Sequence, residues 1–147
     1  MPIVVLDTNV VLDWLVFQDP ACALLSERIE ARSLRWIASP AMRVELAHVL
    51  TRDHQFDAWR PNESELWARW ERLCMPMEQR ALSGGALRLR CTDPDDQIFI
   101  DLATSHGARW LLSRDRAVLK LARRAAELGL RILTPVAWAG HAALGEA

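Results

Sequence analysis

Apolar positions change their period along the chain, and the changes mark out alternating strands and helices. Ile3-Val4-Val5-Leu6 is a continuous apolar run with β-branched residues, the pattern of a strand covered on both faces in a parallel sheet. It reads as the first, central strand. From Asn9 to Phe17 the chain stays largely apolar, and from Pro20 to Ala31 Leu24, Leu25 and Ile29 recur near helical spacing. Two helices, or one broken near Pro20, are predicted there. Trp36-Ile37-Ala38 is a second short strand, after which Ser39-Pro40 supplies an N-cap and a first-turn proline for a helix to about Arg52, buried through Met42, Leu46, Val49 and Leu50.

Asn62 followed three residues later by Glu65 makes a capping-box arrangement before Leu66, Trp67, Trp70 and Leu73, another amphipathic helix. Ser83-Gly84-Gly85 breaks that pattern. Between Asp95 and His106 a helix is predicted with Ile98, Phe99 and Leu102 inside, stopped by Gly107 and followed by the strand Trp110-Leu111-Leu112. A last helix runs from Arg116 to Leu128 with Gly129 as its C-cap, leading to the strand Arg131-Ile132-Leu133. Strand-helix alternation of this kind implies right-handed crossovers and a parallel α/β sheet. The length, 147 residues, suits one domain with a substantial core, and the expected unit is a single domain over residues 1–147.

Four short acidic segments fall where strands end or helices begin: Asp7 after the first strand, Glu45 within a helix, Asp93-Pro94-Asp95-Asp96, and Asp115 after the strand ending near Leu112. In an open parallel sheet, ligands bind beyond the carboxyl ends of the strands, so Asp7 and Asp115 are expected at one edge. Capping is an alternative explanation for Asp93, Asp95, Asp96 and Asp115. For Glu45 the alternative is a solvated helix face shared with His48 and Arg52. Carboxylates gathered together repel unless a cation joins them, and Mg²⁺ and Mn²⁺ take oxygen ligands of this kind. The chain reads as a metal-dependent enzyme acting on phosphate.

Composition narrows the partners. Hydrophobic residues make up 51% and charged residues 25%, with a formal net charge of −1, which is ordinary for a globular chain and lacks the basic excess of a bulk nucleic-acid binder. Cys22, Cys74 and Cys91 form no Cys-x-x-Cys pair, so neither a disulfide framework nor a zinc site is expected. Met1-Pro2 leads straight into the first strand, and no apolar stretch approaches the ~20 residues of a membrane span, so a cytoplasmic location is expected. Of the seven tryptophans, Trp67 and Trp70 lie on an apolar helix face and Trp110 in a strand, which favours packing over base stacking. Arg116, Lys120, Arg123 and Arg124 crowd the helix that begins beside Asp115, either to meet a phosphate backbone or as a solvated face.

In order, Val5-Leu6-Asp7-Thr8-Asn9-Val10, Ser39-Pro40-Ala41 through Glu45-Leu46, Asp93-Pro94-Asp95-Asp96 through Phe99, and Trp110-Leu111-Leu112-Ser113-Arg114-Asp115 closely resemble the PIN-domain ribonucleases, and more narrowly the branch that includes the toxins of bacterial toxin–antitoxin systems. The likeness runs on to Arg131-Ile132-Leu133-Thr134-Pro135. It implies a three-layer sandwich with a central parallel sheet flanked by helices, and an acidic pocket that holds one or two Mg²⁺ or Mn²⁺ ions and cleaves RNA. It places the acidic set on Asp7, Glu45, Asp96 and Asp115, matches Asp93 to a frequently acidic neighbour, and matches Asn9 and Ser113 to supporting polar positions. It also implies an antitoxin protein as partner and a homodimer. Arg114 departs from the pattern, since glycine is common there. Two other readings stay open on sequence alone: a non-catalytic PIN-like module that binds RNA or protein, and a metal-dependent phosphohydrolase working on small phosphate esters.

Overall fold

The computed structural model describes residues 1–145. Five strands, β1 (Ile3–Leu6), β2 (Arg35–Ala38), β3 (Cys74–Pro76), β4 (Trp110–Leu112) and β5 (Arg131–Leu133), form one sheet in the order β3-β2-β1-β4-β5. Every pairing is parallel. The helices are α1 (Thr8–Leu15), α2 (Ala23–Glu30), α3 (Pro40–Arg52), α4 (Glu63–Leu73), α5 (Gln97–Ser105), α6 (Arg116–Leu119), α7 (Ala122–Ala126) and α8 (Pro135–Ala143). This is the expected α/β sandwich, a parallel sheet flanked by helices.

Strand order carries a functional consequence. From β1 the chain steps outward to β2 and β3, then returns to lay β4 on the other side of β1. Right-handed crossovers therefore put the helices of the two halves on opposite faces. The reversal between β1 and β4 opens a crevice at their carboxyl ends, where such sheets bind ligands.

Register sorts the core into two layers. Cys74, Trp36, Val4, Trp110 and Arg131 lie in one row across the sheet, so their side chains share a face. On that face Trp36 meets Trp14 of α1 at 5.2 Å and Trp70 of α4 at 4.8 Å between ring centroids, while Trp110 meets Trp138 of α8 at 5.9 Å. All three contacts are edge-to-face or nearly so, the arrangement the ring quadrupole favours. The next row, Ile37, Val5, Leu111 and Ile132, faces the other way, toward the buried Phe99, Ile100, Leu102 and Ala103 of α5.

Several elements depart from the expected ones, each for a local reason. β3 has no counterpart among the predicted strands, because three residues ending in Pro76 carry no strand pattern; Pro76 is tolerated because β3 is at the sheet edge. The predicted Arg116–Leu128 helix is two, since Leu121 N–H bonds to Val118 rather than one residue further back, a tightened turn that separates α6 from α7. Asn62 makes no side-chain cap and instead ends a 3-10 turn over Arg60–Asn62. Near Pro20 the chain does break, through a 3-10 turn over Pro20–Cys22. α8 is a further unpredicted element, although Thr134-Pro135 is a helix start, and Thr134 Oγ1 accepts from Ala137 N–H at 3.1 Å.

Because Trp36 is fully buried with two ring partners, Trp36→Ala should cost about 3–5 kcal/mol of unfolding free energy. Urea denaturation followed by far-UV circular dichroism measures the loss directly.

Candidate metal centre

β1 ends at the crevice and delivers Asp7, which is 3% exposed. Its Oδ1 accepts from Thr8 N–H at 2.7 Å and caps α1; its Oδ2 accepts from Ser113 Oγ at 2.6 Å. Ser113, wholly buried at the end of β4, also accepts from Asp115 N–H at 2.9 Å. One hydroxyl thus ties Asp7 to the start of the segment that carries Asp115. Burial pushes the Asp7 carboxyl above its ordinary value, the bonds from Ser113 and Thr8 pull it back, and the Asp115 and Glu45 charges push the same way as burial.

Asp93, Asp96 and Asp115 converge: each can offer an oxygen such that all three lie within 4.8 Å of one another. Two oxygens on one cation at 2.0–2.6 Å are separated by at most about 4–5 Å, so the set matches a single hard ion. Capping accounts for part of this chemistry. Asp93 Oδ1 accepts from Asp95 N–H at 3.0 Å, and Asp115 Oδ1 from Ala117 N–H at 2.9 Å. It does not account for Asp96, which occupies the N-cap of α5 yet makes no side-chain cap, and whose Oδ2 is buried without a partner among the described residues. An unpartnered carboxylate oxygen on a residue gathered with two other acids is costly unless a cation completes it. Burial first, then the Asp7 charge, a hydrogen bond with Asp115, and the charges of Asp115 and Asp93 push the Asp96 carboxyl up to about 7.

The remaining candidates sit around this cluster. Glu45 lies in the second turn of α3, half-buried, and its charge reaches Asp7 without making it one of the three converging acids. Asn9 Oδ1 accepts from Arg114 N–H at 3.2 Å, which pins the turn after β4 to α1. Arg116, Lys120, Arg123 and Arg124 are all exposed.

A family model of the PIN domain matches residues 3–117. The chain belongs to the PIN domain family. Among solved structures, it is similar to a chain in the crystal structure of VapBC2 from Rickettsia felis bound to a DNA fragment from their promoter. The two share 15% identity at a TM-score of 0.60, over 88% of this chain and 98% of that one. No curated protein sequence matches the chain. Among the described residues, no helix is long and apolar enough to cross a membrane.

This PIN domain also holds a residue that reading the sequence missed. Asp13, on the buried side of α1, binds the Arg114 guanidinium through both oxygens, at 2.5 Å to Nε and 3.0 Å to the terminal nitrogen. Its side chain is 9% exposed against 53% for Arg114. The one signal in the sequence is a lone acid inside the apolar run Val10 to Leu15; its partner lies 101 residues away. Arg114 is absent from the non-glycine residues with positive φ, which are Gln18 and Arg32, so no left-handed conformation calls for glycine before Asp115 here.

Two outcomes are expected. Arg114→Ala strands a buried carboxylate and should destabilise the fold by roughly 1–3 kcal/mol, less than a fully buried pair because the guanidinium is half in solvent; a chemical-denaturation midpoint reads it. The second concerns pH. Asp96 binds its proton more tightly folded than unfolded, so its contribution to stability is complete below its unfolded value of 3.8 and is lost as pH rises through about 7. Metal-free protein should therefore melt at a lower temperature at pH 8 than at pH 5.5, and Asp96→Asn should flatten that slope in differential scanning calorimetry.

Proposed function

We propose that this PIN domain is a metal-dependent endoribonuclease and the toxin of a toxin–antitoxin pair. The observation that carries the nuclease reading is the Asp93–Asp96–Asp115 cluster at the β1/β4 switch point, with one buried oxygen of Asp96 left over. Asp96, Asp115 and Asp93 would hold Mg²⁺ or Mn²⁺, one ion or two, with Asp7 and Glu45 completing the acidic environment. When bound there, a divalent ion lowers the pKa of a water and offsets phosphodiester charge.

The chain's own residues set that chemistry up. Asp7 and Asp115 are held in one geometry by Ser113, whose hydroxyl gives its proton to one and accepts the N–H of the other. Asn9 fixes the same turn from the α1 side. Asp96, raised to about 7 by burial and its acidic neighbours, would give up its proton as a cation binds. RNA rather than a small ester is favoured by the sequence resemblance to PIN ribonucleases. The toxin assignment, with an antitoxin partner, a homodimer and a cytoplasmic setting, rests on the resemblance to the toxin branch, and likeness in fold to a chain of a VapBC2 structure supports it.

The deciding experiment is cleavage of a mixed pool of labelled single-stranded RNAs by purified protein with Mn²⁺, with EDTA, and with Asp96→Asn. Cleavage should need Mn²⁺ and fall at least about 100-fold in the variant, the scale of losing one preorganised charged group. Intact RNA after incubation with folded wild-type protein and Mn²⁺ would overturn the reading, and hydrolysis of p-nitrophenyl phosphate in its place would reassign the substrate. Ser113→Ala, which frees Asp7 and Asp115 from each other, should cut metal affinity or rate by about 10–100-fold, measured by isothermal titration with Mn²⁺ and by initial rates.

A further inference from the structure

A second feature lies outside the carboxylate cluster. The 3-10 turn over Gly84–Arg88 and helix α7 enclose a cavity of about 480 Å³ lined by Gly85, Arg88, Leu89, Arg124, Glu127 and Leu128. Its size falls within the ~300–1,000 Å³ of small-molecule sites. We propose that this cavity is a nucleotide subsite, which takes one base of a single-stranded RNA against its leucines and the flanking phosphates on Arg88 and Arg124. The inference rests on the ribonuclease reading for its substrate and goes beyond it by placing where the strand lies.

Charge and shape favour that occupant. Five arginines are committed to acids, Arg114 to Asp13, Arg72 and Arg69 to Glu30, Arg60 to Asp57 and Arg43 to Glu71, and what sets Arg88 and Arg124 apart from the remaining exposed arginines is that both line one cavity. Arg88 and Arg124 have no ion pair or side-chain hydrogen bond among the described residues, and both are exposed. An arginine free of an acid is open to a phosphate, which its planar fork matches. Leu128 is 43% exposed, an apolar surface on which a base can rest. Gly85 lets the backbone of the 3-10 turn close directly onto Leu128, since a Cβ there would sit 2.7 Å from Leu128 Cδ2, and this fixes that side of the cavity. Glu127 is the one acid in the lining; it offers an acceptor to a base amino group rather than to phosphate.

Position favours it as well, because one lining residue, Leu89, is bonded to the residue beside Asp96. Gln97, next to Asp96, donates from Nε2 to Leu89 C=O at 2.9 Å and accepts from Cys91 N–H at 2.7 Å. Cys91 Sγ donates to Ala117 C=O at 3.5 Å, and Ala117 N–H donates to Asp115 Oδ1. A strand seated in the cavity would run from there toward the carboxylates along the segment that joins Leu89 to Asp96, so the subsite would bias which phosphodiester reaches them. Arginines here also answer an electrostatic need, since a polyanion approaching several acids requires cationic contacts elsewhere.

The test measures binding of a short, labelled, mixed-sequence single-stranded RNA to the full chain in EDTA across a salt series, by fluorescence anisotropy. Arg88→Gln/Arg124→Gln should weaken binding about tenfold or more and lower the slope of log K against log salt by about 1.4, the value for two phosphate contacts on a single strand. Arg35→Gln, an exposed arginine at the amino end of β2, should change affinity less than twofold. Unchanged affinity and slope in the double variant overturns the subsite and leaves the cavity to a protein partner. A parallel Mn²⁺ cleavage assay separates the two claims. Wild-type cleavage with unaltered RNA binding in the double variant sinks the subsite alone; binding lost in the variant without any wild-type cleavage keeps the subsite and sinks the nuclease reading.

Discussion

The parallel pairing of β1 with β4 is the constraint on which the rest depends. Val4, Val5 and Leu6 align with Trp110, Leu111 and Leu112, and the ladder continues one step further as Asp7 N–H bonds to Leu112 C=O at 2.9 Å. That extra step sets Asp7 beside Ser113. A one-residue slip would turn the apolar set of β4 to the wrong faces, so core packing on both sides of the sheet enforces the register that the acidic edge needs. Chemistry at the crevice is therefore specified by hydrophobic side chains that never touch it.

Against that rigid frame stands a cluster that opposes folding. Several carboxylates at one edge raise each other's proton affinity, and burial adds to the effect at Asp7 and Asp96. Natural proteins keep such sites only where function requires them and the surrounding structure is strong enough to hold them. Here the strength comes from a fully buried sheet centre, from Ser113, and from the Asp13–Arg114 pair that clamps the turn after β4 onto α1. A divalent cation bound there would convert the same repulsion into attraction and so link its binding to folding.

Much of this was legible in the linear chain because the signals were local. Ile3–Leu6, Trp36–Ala38, Trp110–Leu112 and Arg131–Leu133 announced themselves as apolar runs between breakers, and Gly107 and Gly129 marked helix ends, each with positive φ. β3 and the α6–α7 break were illegible because edge position and a single tightened turn leave no trace in periodicity. At the site, Asp7, Asp96 and Asp115 were marked by where they fall relative to strands and helix starts. Their ranking was not, since capping chemistry and metal ligation use the same residues; only three-dimensional placement separates Asp96, which caps nothing, from Asp115, which does. Asp13 was beyond reach because its meaning is a partner more than a hundred positions away.

The tryptophans illustrate a last consequence of register. Trp36 and Trp110 share a row and a face, and Trp14, Trp70 and Trp138 pack onto that same side. Trp59 and Trp67 lie between α3 and the end of α4, while α5, α6 and α7 carry no indole at all. Intrinsic fluorescence and near-ultraviolet dichroism of this protein are thus reports from one layer of the sandwich. The opposite layer, whose helices start beside Asp96 and Asp115, carries no indole, and events there would reach the tryptophans only through the sheet between them.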